Sequence, residues 1–121
     1  MKLFPVLAMM FAHNYFGDLC YQKYLKMVED MKNQDYSLMD LMHHYTTGGK
    51  SVFTQECQDS LYRLRECVGG AGFTVWSGLP QIIDDYAPEV TYEGDNTVMA
   101  QQCANFLLKQ AKRVNVKNMK A

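Results

Sequence analysis

The sequence predicts an all-α domain, and three observations carry that prediction. Apolar residues recur at three-four spacing over long stretches, strand-like alternation is nearly absent, and four of the eight glycines and two of the three prolines fall in one connecting stretch, residues 69–93. The 121 residues fit one helical domain spanning residues 1–121. Hydrophobic residues make up 48% of the chain, an ordinary globular level, so a packed core is expected rather than disorder. The expected architecture is a helical bundle of three main helices, with a Gly-rich crossover loop before the last.

The first helix is expected from about Leu3 to Met31. Leu7, Met10, Phe11, Asn14, Tyr15, Asp18, Leu19 and Tyr21 to Leu25 form its mostly apolar stripe. Pro5 falls in the first turn, where a missing N–H does no harm. A helix this long needs its stripe covered to be stable. Asn33-Gln34-Asp35 breaks the pattern.

The second helix is expected from about Ser37, with Asp40 as its capping partner. Leu38, Leu41, Met42 and Tyr45 begin its stripe, and Val52, Phe53, Cys57, Leu61, Leu64 and Val68 extend it. Gly48-Gly49 lies between, at a cost of about 1 kcal/mol of helix propensity per glycine. Either the helix ends there or the glycines permit a close contact. Gly69-Gly70 then stops it.

Residues 69–93 read as the least regular part, with a short helical or extended piece around Ile82-Ile83. Long connections in small domains tend to be functional. The last helix is expected from Gly94 to Asn96 onward, with Val98, Met99, Gln102, Cys103, Phe106 and Leu107 as its apolar stripe. Asp95 places negative charge at its N-terminus.

Composition excludes several classes of function. A net charge of −1 argues against nucleic acid as the main partner. The exception is a basic tail, residues 113–121, continuous with Lys109 and Lys112. It suits an anionic surface or the negative end of a helix dipole, and the absence of aromatics favours the dipole. Cys20, Cys57, Cys67 and Cys103 form no C-x-x-C pair and no zinc spacing, so no metal is expected. No apolar run reaches the roughly 20 residues of a membrane span. Nine Met are weak evidence for an adaptable interface.

Two segments could carry chemistry. Gly69-Gly70-Ala71-Gly72 could approach a phosphate, but it follows a helix rather than a strand. By itself it reads as a helix end and a turn. Asp84, Asp85, Glu89, Glu93 and Asp95 form an acidic loop. A carboxylate before a glycine and a helix can act as a general base, and a carboxylate pair could serve a glycosidase. Composition alone favours a solvated loop with an N-cap.

The string Thr91-Tyr92-Glu93-Gly94-Asp95-Asn96-Thr97-Val98 resembles the base-bearing motif of acyl-CoA oxidases. Cys67-Val68-Gly69-Gly70-Ala71-Gly72-Phe73 and Ser77-Gly78-Leu79-Pro80 resemble the segment upstream of it. Lys2 to Ala8, Gly48-Gly49-Lys50-Ser51 and Ala104 to Lys109 are also similar to that family, so the likeness spans residues 2–110 in register. The resemblance implies the first C-terminal α-domain of such an enzyme. It implies Glu93 as the base that takes the α-proton of an acyl-CoA thioester while FAD accepts hydride, with O₂ then reduced to H₂O₂. It implies Gly94 as room for the thioester, and Gly69, Gly70, Asp95, Asn96 and Thr97 as flavin-proximal positions, the glycines often across a dimer interface. Family members often carry histidine where Ala71 stands and tyrosine where Phe73 stands.

The family's N-terminal helical, middle β and second C-terminal helical domains have no counterpart in these 121 residues. The expectation is a segment unable to hold FAD alone, completed by a homodimer or a complementary protein chain. The alternative is a non-catalytic remnant serving as an interaction subunit, and a helical module unrelated to flavin is a third reading. The resemblance implies peroxisomes, though Asn118-Met119-Lys120-Ala121 is not an S-K-L-type address, and mitochondria or cytosol stay open.

Overall fold

The computed structural model describes residues 2–118, with side chains through Val114. Of the expected basic tail, residues 119–121 and the side chains from residue 115 onward lie outside the described residues. Helix α1 spans Leu3–Lys32 and α2 spans Met39–Cys67. Helix α3 spans Leu79–Tyr86 and α4 spans Asn96–Asn118. No strand occurs among the described residues.

The all-α class holds, but the described residues form four α-helices rather than three main ones. The connection is a chain of short helical turns, not an open Gly-rich loop: Gly69–Phe73, Val75–Ser77, α3, then Ala87–Val90. The signals for α3 were present. Gly78 (φ 70°) starts it, Pro80 sits in its first turn, and Ile83 is buried. Eight residues are too few for periodicity to stand out.

Helix α2 is the central element. Helix α1 runs antiparallel to it, since partners descend along α2 as numbers ascend along α1. Lys2 Nζ meets Glu66 at 3.0 Å, Ser60 Oγ lies 3.6 Å from Met9 Sδ, and His13 meets Glu56 at 2.8 Å. Phe16 packs edge-on against Phe53, and His13 stacks on the same ring at 3.9 Å. The inner face of α1 is Val6, Met9, His13, Phe16, Cys20 and Met27, buried or half-buried at heptad spacing. The stripe expected from sequence faces away instead. Leu7, Phe11 and Tyr15 are 49%, 70% and 77% exposed. Helix α1 therefore has two apolar faces, and this chain covers one.

The turn before α2 also differs from expectation. Ser37 and Asp40 form no capping pair, because Asp35 Oδ1 accepts the Ser37 amide at 2.9 Å and no side chain caps the helix. Gln34 (φ 62°) supplies the left-handed break. Helix α2 continues through Gly48-Gly49, which resolves that ambiguity in favour of close contact. A Cβ on Gly48 would lie 3.1 Å from Cys103 Sγ, and one on Gly49 3.2 Å from Phe16 Cε1.

Helix α4 is likewise antiparallel to α2. Asn96 meets Lys50 and Thr54, whereas Cys103 and Phe106 meet His44 farther back along α2. Between α1 and α4, above the glycine pair, lies an open apolar groove of about 290 Å³ lined by Phe16, Tyr45, Val52 and Phe53. Val6, Met42 and Ile83 are the buried hydrophobic residues among those described.

Candidate base-bearing turn at the head of helix α4

The connection returns along α2 and delivers Glu93 beside its middle. Pro88 O accepts the amides of Thr91 (2.9 Å) and Tyr92 (3.0 Å), closing the last short turn. The Tyr92 hydroxyl donates to Glu89 Oε1, and that bond raises the phenol above its ordinary pKa. The backbone then turns left-handed twice, at Glu93 (φ 56°) and Gly94 (φ 104°). For a non-glycine residue this region is sparsely populated, costing about 1–3 kcal/mol, and it persists only where the surroundings enforce it.

The enforcing contacts converge on Gly94. Lys50 Nζ donates to the Gly94 carbonyl at 2.7 Å. Met99 packs so closely that a Cβ on Gly94 would overlap its Cε and lie 3.1 Å from its Sδ. Asp95 Oδ1 accepts the Thr97 amide at 2.8 Å and caps the first turn of α4. Hydrogen bonds from Thr97, the main-chain one first, hold the Asp95 carboxyl below the usual carboxylate range, and Lys50 acts in the same direction. Asn96 Oδ1 accepts Lys50 Nζ at 2.7 Å and Thr54 Oγ1 at 3.1 Å. Its Nδ2 is buried without a partner.

Chemically, the turn presents an exposed carboxylate on a fixed backbone. It supplies the placement a general base needs but not the exclusion of water that proton abstraction from carbon favours.

Gly94, Asp95, Asn96 and Thr97 thus stand with Glu93, but Gly69 and Gly70 do not. The glycine pair follows the C-terminal end of α2, and the helical rise from Lys50 to Cys67 puts the two groups about 25 Å apart. A Cβ on Gly69 or Gly70 would meet nothing within 4 Å, so both are open to an outside group. The glycine that packing demands is Gly72, whose Cβ would lie 2.5 Å from Arg65 O. As a flavin site the arrangement does not fit within one chain. Its two halves are separated, Asn96 Oδ1 is already engaged, and the spare Nδ2 is enclosed. No cluster of three or more potential metal ligands occurs among the described residues, and no described helix is long and apolar enough to cross a membrane.

Lys50, Thr54 and Met99 are the residues that reading for chemistry overlooked. The available signal was Lys50 and Thr54 one turn apart beside a mid-helix glycine pair.

The acyl-CoA oxidase C-alpha1 domain family matches residues 1–108. The peroxisomal acyl-coenzyme A oxidase 1 of Bos taurus is 36% identical over 114 residues, which is 94% of this chain and 17% of that protein. The structure of Arabidopsis thaliana acyl-CoA oxidase 1 superposes with a TM-score of 0.91 at 34% identity, covering 95% of this chain and 18% of that one. Acyl-CoA oxidase-1 of Caenorhabditis elegans, solved in complex with FAD and ATP, also gives a TM-score of 0.91, at 32% identity over 96% of this chain and 18% of that one. The chain therefore spans less than a fifth of the length of these relatives. The match over residues 1–108 and the shared fold place this chain in the acyl-CoA oxidase C-alpha1 domain family.

Proposed function

We propose that this chain is the catalytic-base segment of an acyl-CoA oxidase-type enzyme and that Glu93 is the base. The observation that carries the reading is the pinned left-handed turn, which projects a carboxylate at the head of α4. Glu93 takes a proton from the carbon next to the thioester carbonyl. Gly94 keeps the adjacent backbone slim enough for the thioester to approach. Asp95, Asn96 and Thr97 hold the turn and lie toward the flavin, which binds mainly to parts outside this segment. Gly69 and Gly70 serve a flavin presented from a second chain or domain. The substrate is a fatty acyl-CoA, and the peroxisomal relatives support a peroxisomal setting.

The chain should be mixed with its complementary part, FAD and an acyl-CoA, and hydrogen peroxide measured. Glu93→Gln is expected to abolish peroxide. Undiminished production by that variant would refute the assignment.

A second reading is a non-catalytic interaction subunit. The uncovered face of α1 favours it, because Leu7, Phe11 and Tyr15 need a homodimer or another chain as cover. An absorbance spectrum of the purified protein separates the two. Flavin absorbance counts against the second reading, and a colourless protein in a stable complex with a non-oxidase partner supports it.

A further inference from the structure

We propose that Lys50 is a positioning residue, holding the Glu93-Gly94 turn in the conformation from which Glu93 acts. The inference rests on reading Glu93 as the base.

Three observations converge. First, the Lys50 ammonium is half-buried in mid-α2 and spends two donors on the turn, at 2.7 Å to Gly94 O and 2.7 Å to Asn96 Oδ1. These acceptors lie on either side of Asp95, so one cation ties the left-handed turn to the first residue of α4. Charge-assisted bonds of this length are the strong class. Second, the acceptor on α4 is itself tied to α2. The Thr54 hydroxyl, one turn along from Lys50, lies 2.8 Å from the Lys50 main-chain carbonyl and 3.1 Å from Asn96 Oδ1, and its single proton is shared between the two. Third, the segment so held is the place where two consecutive residues, one of them not glycine, adopt positive φ. A strained backbone needs outside contacts to persist. Met99 packs where a Gly94 side chain would stand, and Lys50 supplies the hydrogen bond to the Gly94 carbonyl.

Lys50 does not act as a counter-ion to Glu93. Among the described residues it forms no ion pair within 4.0 Å, and its contacts are to a carbonyl and an amide oxygen. Its part is geometric. It sets where the Glu93 backbone points, while leaving the carboxylate free to carry a proton.

The test uses the full chain in solution by NMR. In the wild type, a through-hydrogen-bond coupling between Lys50 Nζ and the Gly94 carbonyl carbon is expected. Its absence, with Lys50 Nζ averaging like a solvated lysine, would overturn the proposal whether or not any variant folds. In Lys50→Met, the Thr97 and Met99 amides, both bonded to Asp95, are expected to exchange about tenfold faster, with the Glu93 HN–Hα coupling leaving its left-handed value. Amides of α1 should be unchanged. Unchanged exchange at Thr97 and Met99, or a uniform rise across all helices, would overturn it as well. In the reconstituted peroxide assay Lys50→Met should lower kcat with little change in KM. Glu93→Gln should leave the Lys50 coupling intact, so a failure of the base assignment is distinguishable from a failure of the positioning role.

Discussion

Gly94→Ala is the substitution that probes the base turn most directly, and its cost divides into two parts. The first is conformational. Gly94 sits at φ 104°, where an L side chain meets its own backbone, and forcing alanine there costs about 1–3 kcal/mol. The second is steric. The new Cβ would overlap Met99 Cε and crowd Sδ at 3.1 Å and Cγ at 3.4 Å. The clash involves the outer part of a flexible side chain, so Met99 can swing aside, and the low end of the usual overpacking cost applies, about 1 kcal/mol. The expected loss is therefore about 2–4 kcal/mol in urea unfolding followed by circular dichroism, with m unchanged. A double-mutant cycle with Met99→Ala separates the parts. In that background Gly94→Ala should lose the steric share and keep the conformational one. A loss below about 0.5 kcal/mol in the wild-type background would refute the account, since a surface-like value means that the turn is not held as described.

Gly48→Ala should stabilise α2 by up to about 1 kcal/mol if propensity alone decided. Contact of the new Cβ with Cys103 Sγ at 3.1 Å should cancel that gain, and a gain of the full amount in urea unfolding would show that α4 does not press on the glycine. Asp95 has a folded-state pKa below its ordinary 3.8, so its contribution to stability is complete above that pH and is lost as pH falls through the lower folded value. Thermal unfolding between about pH 2 and pH 5 should therefore show a steeper loss for the wild type than for Asp95→Asn, and parallel curves would contradict the cap. Phe11→Ser, on the uncovered face of α1, should change the stability of the isolated chain by less than about 0.5 kcal/mol while reducing self-association in sedimentation. A large stability loss would mean that this face is covered within the chain.

The three long helices were legible because each repeats its apolar spacing over many turns. What spacing could not settle was which of two apolar faces on α1 turns inward. Val6, Met9, His13 and Phe16 include a polar ring, and Leu7, Phe11 and Tyr15 look more hydrophobic, yet the former meet α2. Hydrophobicity reports the need for cover without naming which part of a larger assembly provides it. Around Ile82-Ile83 the sequence left helix and extended chain both open, because the evidence for α3 is local, with Gly78 and Pro80 as start signals and one buried residue, Ile83. The Gly48-Gly49 pair could be seen in the sequence but not explained there, since its reason is the approach of Phe16 and Cys103 from 33 and 55 residues away along the chain.

The turn that carries Glu93, the candidate base, stood out in the sequence through its motif, whereas its supports did not. Lys50 and Thr54 act at a separation of more than 40 residues, and their spacing beside the glycine pair marks a close approach without saying which distant carbonyl the ammonium will meet. That difference bears on what the segment contributes. The role proposed for Glu93 requires a fixed backbone, and the contacts that hold this turn inside the chain come from Lys50, Met99 and the Asp95 cap. The proposed proton abstraction from carbon also requires a dry pocket around the carboxylate, and Glu93 is exposed. The two requirements are physically separable. A fixed backbone needs a few short-range hydrogen bonds and packing contacts, which two helices and a turn can provide, while excluding water needs walls on every side. A segment less than a fifth the length of its relatives can therefore carry the placement in full and still depend on further protein for the environment.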